Sequence, residues 1–483
     1  MTSIRGLART APGSGPTFRP LLRRHLDEIP QLRGLPPDDT LALKVVSAVL
    51  PFRVNRYVID HLIDWSNVPD DPIFQLTFPQ RGMLDPSDFD RVADLILRDA
   101  PAVEIREVAR EIQMSLNPHP AGQMELNVPC VNGEPLPGVQ HKYRETVLYF
   151  PTRAQTCHAY CTYCFRWAQF VGIGELRFAT NEAGPVTRYV QEHAEVSDIL
   201  LTGGDPMVMK VDSLRAFIEP LLAIEHLKQI RIGTKALAYW PYRFTTDSDA
   251  DDLLVLADKI ERHGKQLAIM AHMSHPVELD TEPAQEAIRR LRNAGCTVRS
   301  QAPLIRHVND SAEAWAEMWN LQTDLGVVPY YMFVERNTGA KDYFKVPLAR
   351  ALEIYRDAIQ RVSGLGRTAR GPSMSAAPGK VVVDGVEEIA GERVFVLSFL
   401  QGRNPDWIKR PFLAKYDPEA SWLDDLRPAF GAERFFFDEE MDRLARDPQS
   451  KLWSCPKSAM RPSAKPRSRR ARTEVPSLTT DRD

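Results

Sequence analysis

The 483-residue chain reads as an α/β protein. The expected architecture is a partial (βα)6 barrel at residues 141–380, a helical N-terminal region at 26–140 and a small C-terminal α+β segment at 381–455. Two observations predict it. From Thr146 onward, short apolar runs alternate six times with longer amphipathic ones, as parallel strands joined by crossover helices do. A Pro/Gly/Asn-rich connector at 118–138 separates this texture from a proline-punctuated helical one before it. Six units suit an open or partial barrel better than a closed eightfold one.

Taken in order, residues 1–25 read as a flexible tail, rich in Arg near its start and without acids up to residue 24. Amphipathic helices are expected at 39–49 and 87–98. Strands are expected at 147–150, 198–202, 230–233, 267–271, 298–301 and 329–334. Each precedes a helix, at 182–193, 212–224, 249–263, 283–294, 311–325 and 347–362. Asp310 with Glu313 fits a capping box, and Gly264, Gly295 and Gly326 fall where left-handed C-caps belong. The Gly/Ser/Pro-rich stretch 364–379 reads as a loop, followed by strand-like 381–384 and 393–400. Residues 456–483 read as a disordered basic tail, with Arg461, Lys465, Arg467, Arg469, Arg470 and Arg472 among Ser and Pro.

Composition narrows the class. With 43% hydrophobic and 26% charged residues and a formal charge of −3, the chain has an ordinary globular make-up and no general affinity for polyanions, so nucleic acid is not an expected partner. No apolar run approaches the ~18 residues of a membrane span. Six cysteines, three of them in one loop, make no disulfide framework, which points to a reducing compartment and a cytoplasmic protein.

The most informative segment is Thr156-Cys-His-Ala-Tyr-Cys-Thr-Tyr-Cys-Phe-Arg166, a CxxxCxxC triplet formed by Cys157, Cys161 and Cys164. Soft thiolates select iron–sulfur clusters or zinc. Three of them can hold three irons of a [4Fe–4S] cube and leave the fourth iron open. A structural zinc would want a fourth ligand, and only His158, inside the loop, offers itself. The triplet follows the first strand, at the sheet edge where such folds place their chemistry. After the second strand comes Gly203-Gly204-Asp205-Pro206.

A cysteine loop of this spacing followed by such a turn resembles the radical S-adenosylmethionine superfamily, whose Gly-Gly-acidic-Pro turn binds the methionine amino group. The resemblance narrows to the lysine 2,3-aminomutase family over roughly residues 30–410. It is carried by Leu50-Pro-Phe-Arg-Val-Asn55, His141-Lys-Tyr-Arg-Glu-Thr-Val-Leu148, Arg231-Ile-Gly-Thr234, His272-Met-Ser-His-Pro276, Ser300-Gln301, Arg306-His-Val-Asn-Asp310 and Pro329-Tyr-Tyr-Met-Phe-Val334. It implies an isomerase that binds a [4Fe–4S] cluster, S-adenosyl-L-methionine and pyridoxal 5′-phosphate. A 5′-deoxyadenosyl radical takes a β-hydrogen from an amino acid, and the pyridoxal-bound amino group migrates to the neighbouring carbon.

Residue by residue, the resemblance implies that Cys157, Cys161 and Cys164 hold the cluster and that Gly203, Gly204 and Asp205 bind S-adenosylmethionine. Lys380, in Ala377-Pro-Gly-Lys380, takes the place of the pyridoxal lysine after a shortened glycine run. Lys142 and Tyr143 stand in an altered phosphate motif whose second arginine has become Thr146. Arg166 occupies the place of the substrate-carboxylate arginine. Where the family has Val-Cys-Asp-Leu, this chain has Val334-Glu335-Arg336-Asn337, so the aspartate that anchors the lysine side chain is gone. Arg336 facing inward suits an acidic or polar side chain, whereas Glu335 inward would restore a cation site. The expected substrate is therefore an amino acid other than free lysine. A one-electron reductant such as flavodoxin or ferredoxin is implied as partner, and a homo-oligomer by analogy. No zinc is expected, since only Cys130, Cys296 and Cys455 remain outside the loop. His272 and His275 are expected to line the lumen or cap a turn, and Gln301 to line it. Two other activities stay open: a radical dehydratase or epimerase without the amino shift, and an aminomutase acting on a lysine within a protein.

Overall fold

The computed structural model describes residues 15–446; the predicted basic tail from 456 lies outside them, as does most of the N-terminal tail. One mixed sheet of eleven strands dominates the molecule, with strands paired in strict sequence order. Its strands are β1 (Val139–Tyr143), β2 (Thr146–Tyr149), β3 (Asp198–Leu201), β4 (Gln229–Thr234), β5 (Gln266–His272), β6 (Thr297–Leu304), β7 (Val328–Val334), β8 (Arg370–Ser375), β9 (Gly379–Ile389), β10 (Glu392–Gly402) and β11 (Pro411–Lys415). From β2 to β8 every pairing is parallel. β1 joins one edge antiparallel, and β9 to β11 extend the other as an antiparallel meander.

Helices α1 (Ala183–Glu192), α2 (Val211–Ile218), α3 (Ala250–Arg262), α4 (Glu282–Asn293), α5 (Ala312–Asp324) and α6 (Leu348–Gln360) make the six crossovers. Alternation along the strands explains why they pack on one face. Ile199, Leu201, Ile230, Ile232, Ile269 and Val298 bury themselves in a core shared with Leu214, Leu253, Ile288 and Trp315. Each such fully buried aliphatic contributes about 1.5–3 kcal/mol. The intervening residues point to the other face and line a cavity. Gly264, Gly295 and Gly326 end α3, α4 and α5 with φ of +68°, +84° and +70°, where an added side chain would be strained.

Two details differ from the sequence reading. The cap of α5 is Ser311, whose side chain accepts from Ala314 N, so the capping residue lies one position past Asp310. The stretch read as a loop after α6 contains β8, a seventh parallel strand. Its Gly371 and Pro372 mimic a loop signal. Here Gly371 lets β8 approach closely, because a Cβ would lie 2.6 Å from Met332 O, and the β7–β8 register shifts beside the proline.

A second core joins the N-terminal region to the cysteine loop, with Leu50, Phe52, Phe74 and Phe78 sharing it with Ala159, Tyr163 and Trp167. The N-terminal extension therefore covers the end of the sheet where the cysteines lie. The edge strand β1 also curls round towards the far end of the parallel part of the sheet. Lys142 Nζ on β1 donates to Ala376 O just after β8, and Arg403 after β10 reaches Leu126 O and Asn127. The sheet is thus curled around its polar face.

Candidate active site

The curl encloses a cavity of about 630 Å³. The cysteine loop and the turn after β3 meet at the end formed by the C-termini of the strands. Gly204 N and Asp205 N both donate to Ala154 O at 3.0 Å, and Asp205 N donates to Thr156 O at 2.7 Å. Only glycine permits this approach. A Cβ on Gly204 would lie 2.4 Å from Thr156 O, and one on Gly203, at φ +140°, 2.3 Å from the Gln155 amide. From the other side, Arg53 donates to Thr156 Oγ1 at 3.0 Å, Tyr160 N to Arg53 O at 2.8 Å, and Asn55 Nδ2 to His158 O at 3.1 Å and Tyr239 O at 2.9 Å. The matching stretch Leu50–Asn55 is therefore a clamp on the cysteine loop.

Cys157, Cys161 and Cys164 are free thiols that line the cavity, with Tyr163 beside them. Burial, and then each other's charge, pushes Cys164 up to about 12; burial likewise raises Cys157 and Cys161. Three neighbouring thiols in such a place release their protons only to a strong positive centre. That donor set fits an iron–sulfur core, whose irons supply the charge. No group of three His, Cys, Asp or Glu among the described residues converges on one point as a single ion requires.

Asp205 is buried and fully engaged. Its Oδ2 accepts from Thr234 Oγ1 at 2.8 Å and Lys235 N at 2.9 Å, and its Oδ1 from Met207 N at 2.9 Å. The side chain thus holds the turn, and the backbone of Gly203 and Gly204 faces the cavity. Next to it Lys235 forms a buried pair with Glu278 at 2.6 Å and donates to Ser274 Oγ at 3.1 Å.

Lys380, on β9, places Nζ 3.9 Å from the centroid of the Tyr331 ring. Burial first, then Arg231, Arg370 and Arg336, bring its amine down to about 7. Lys142 is likewise lowered, by burial and then by Arg403, Arg336 and Lys380, while burial raises Tyr143 to about 12. A buried amine that readily gives up its proton, beside several cations, fits an anionic aldehyde cofactor such as pyridoxal phosphate.

Arg166 and Arg336 flank one ring, with Cζ atoms 4.9 and 4.4 Å from the Phe165 centroid. Burial works against both charges. Sequence alternation allowed only one of Glu335 and Arg336 to face inward, yet both line the cavity. The reason is that β7 ends at Val334, so the two-residue period no longer applies. Glu335 is buried, Oε1 has no hydrogen-bond partner, and burial raises its carboxyl well above the usual range. His272 lines the cavity, 3.0 Å from Gln301 Nε2, while His275 caps the next turn by accepting from Val277 N.

Sequence reading missed Phe165, Lys235, Tyr331, Arg299, Arg370 and the Asp198–Arg231 pair, all of which line the same cavity. Period-two alternation through Arg231-Ile-Gly233 and Arg299-Ser-Gln301 carried the signal for two of them.

No family model matches the chain. Among curated proteins it is 27% identical over 403 residues to a putative L-lysine 2,3-aminomutase of Aquifex aeolicus, covering 83% of this chain and 94% of that one. It is 29% identical over 254 residues to the L-lysine 2,3-aminomutase of Escherichia coli, covering 52% and 69%, and 26% identical over 322 residues to that of Bacillus subtilis, covering 64% of each. Among solved structures, Streptococcus suis SuiB bound to its precursor peptide SuiA overlaps with a TM-score of 0.33 at 16% identity, over 56% of this chain and 54% of that one.

Proposed function

We propose that this relative of the lysine 2,3-aminomutases is a radical S-adenosylmethionine isomerase that moves an amino group between the α and β carbons of an amino acid other than free lysine. The observation that carries the reading is a single cavity gathering Cys157, Cys161, Cys164, the Gly203-Gly204 turn, Arg166 and Lys380. In this reading the curled sheet is the partial barrel of that superfamily. The three cysteines would hold the [4Fe–4S] cluster. The cluster and S-adenosylmethionine, when bound, supply a radical able to take a hydrogen from the substrate β-carbon. Pyridoxal phosphate, when bound, supplies the conjugated system through which an amino group shifts.

The chain's own part is positioning. Asp205 fixes the turn, so that Gly203 and Gly204 bring backbone groups against the ligand with no side chain between. Arg166 presents a planar fork to an α-carboxylate. Lys380, brought down to about 7, offers an amine that is about half neutral near pH 7, and Lys142 and Tyr143 offer donors to a phosphate. The N-terminal clamp closes water out of the cysteine end. Free lysine is disfavoured because Asp198 is paired with Arg231, Asp205 is fully used, and the remaining acid, Glu335, sits beside the Arg336 guanidinium, which opposes a second cation there. Electrons would come from a flavodoxin- or ferredoxin-like reductant. No helix among the described residues is long and apolar enough to cross a membrane.

The test is anaerobic reconstitution, iron and sulfide analysis, a spectrum for bound pyridoxal phosphate, and release of 5′-deoxyadenosine on reduction with a panel of amino acids. About four irons per chain and release that depends on the amino acid are expected. Zinc in place of iron would sink the reading. Turnover that survives Lys380→Ala without pyridoxal phosphate would move the protein to a dehydratase or epimerase.

A further inference from the structure

The charges lining the cavity do not balance. Lys142, Arg166, Arg299, Arg336, Arg370 and Lys380 all face it, and none has a carboxylate within ion-pair distance among the described residues. The cavity's own acids are Asp198, paired with Arg231, Asp205, held by three donors of its own turn, and Glu335. A pyridoxal phosphate adds close to two negative charges and a substrate α-carboxylate adds one. Burial lowers both Lys142 and Lys380 towards their neutral forms, so the cations left to be matched are the guanidinium groups of Arg166, Arg299, Arg336 and Arg370.

Position separates these four. Arg370 is exposed and Arg299 partly so, at the ends of the strands far from the cysteines, where water and salt can serve them. Arg336, half-buried like Arg299, lies instead 4.4 Å from the Phe165 ring beside Arg166, and its acidic neighbour Glu335 is pushed by burial well above the usual carboxylate range, towards its neutral form. A guanidinium held there is costly unless a ligand anion completes it.

Resting on the aminomutase reading, we propose that the substrate is an acidic amino acid whose side-chain carboxylate is held by Arg336 while Arg166 holds its α-carboxylate. Both guanidinium groups lie close to one ring, with Cζ atoms 4.9 and 4.4 Å from the Phe165 centroid, which brings them near enough to take the two ends of one dicarboxylic amino acid. Lysine would add a cation to a cavity already in surplus. A site built around a charged partner rejects its neutral isostere strongly, by several orders of magnitude in favourable cases.

The experiment uses full-length protein reconstituted with cluster, S-adenosylmethionine and pyridoxal phosphate, kept oxidised so that nothing turns over. Calorimetry measures binding of L-aspartate, L-glutamate and L-2-aminoadipate against L-asparagine, L-glutamine and L-lysine. At least one acid is expected to bind about 100-fold more tightly than its amide and than lysine. Arg336→Gln should collapse the acid-to-amide ratio to within about threefold while leaving the amide's affinity in place, and Arg336→Lys should keep part of the ratio. Retained cluster absorbance shows that the variants fold. Lysine or an amide binding as tightly as the acids, no acid binding at all, or a ratio untouched by Arg336→Gln would each overturn the assignment. Reduction of the same samples separates this failure from that of the parent reading. Release of 5′-deoxyadenosine with a neutral or basic amino acid overturns only the acidic-substrate inference. No release with any amino acid overturns the aminomutase reading itself.

Discussion

Gly204→Ala tests how tightly the turn after β3 is built against the cysteine loop. The new methyl would sit 2.4 Å from Thr156 O and 2.6 Å from Thr156 N, inside the 3.0 Å that real Cβ contacts respect. Both are backbone atoms in a loop clamped from outside by Arg53, so no flexible side chain can give way. Relief requires the turn to move off the loop. Overpacking of this kind costs about 1–3 kcal/mol. The move also strains the bonds from Gly204 N to Ala154 O and from Asp205 N to Thr156 O, at about 1 kcal/mol each. The expected loss is therefore about 3–5 kcal/mol, or a fall of about 1 M or more in the urea midpoint of the reduced, metal-free protein. Gly233→Ala is the control, because its Cβ would meet nothing nearer than Thr202 Oγ1 at 3.6 Å, and its loss should stay within about 1 kcal/mol. Iron retained after reconstitution should fall sharply for Gly204→Ala alone. Equal midpoints for the two variants, with full iron in both, would refute the reasoning.

Three further outcomes follow from the same site. Because Lys380 is lowered to about 7 in the folded chain and is ordinary when unfolded, the unfolded state binds more protons between about pH 7 and 10; stability should rise with pH in that window by at most about 1.4 kcal/mol per unit, and denaturation of Lys380→Met should show a flatter slope, while an unchanged slope would contradict the assignment. Thr234→Val keeps the shape but removes the 2.8 Å bond to Asp205 and the acceptor for Ala236 N; a loss of about 1–3 kcal/mol and weaker S-adenosylmethionine binding by calorimetry are expected, and unchanged affinity would remove Asp205 from its positioning role. Lys235→Met should cost about 3–5 kcal/mol by stranding Glu278 in the interior, and adding Glu278→Leu should restore most of it; a double variant as unstable as the single one would show that the pair is not what holds this region.

Much of the fold was legible because its signals are local and periodic. The six strand–helix units and the glycine C-caps follow from alternation and from the left-handed backbone that ends each helix. β8 was not legible, since Gly371 and Pro372 carry the composition of a loop and only the neighbour across the ladder, Met332, shows why a strand runs there. The cysteine triplet and the Gly203-Gly204-Asp205 turn were legible as motifs, but not the division of labour in which the Asp205 side chain is spent on its own turn. Inward-facing Glu335 and Arg336 together could not be read at all. Period two decides orientation only within a strand, and β7 stops at Val334.

The two ends of the site are therefore built by different means. Around the cysteines several of the contacts that fix geometry are backbone to backbone or need only a glycine, namely Gly204 N and Asp205 N on Ala154 O, Tyr160 N on Arg53 O and Thr162 N on Leu76 O, and the side chains of Arg53, Asn55 and Asp205 add to them. Backbone contacts of this kind tolerate wide change in side chains, which suits a chain 27% identical to a relative that it matches over 83% of its length. The substrate end has no such insurance. Arg166, Glu335, Arg336, Lys142 and Lys380 act through their side-chain charges, and one substitution changes the sign of what is recognised. In the proposed reading, the resemblance to the lysine enzymes speaks to the cysteine end, and the substrate has to be read from this chain's own side chains. The unmatched guanidinium of Arg336 beside Phe165 carries the second question.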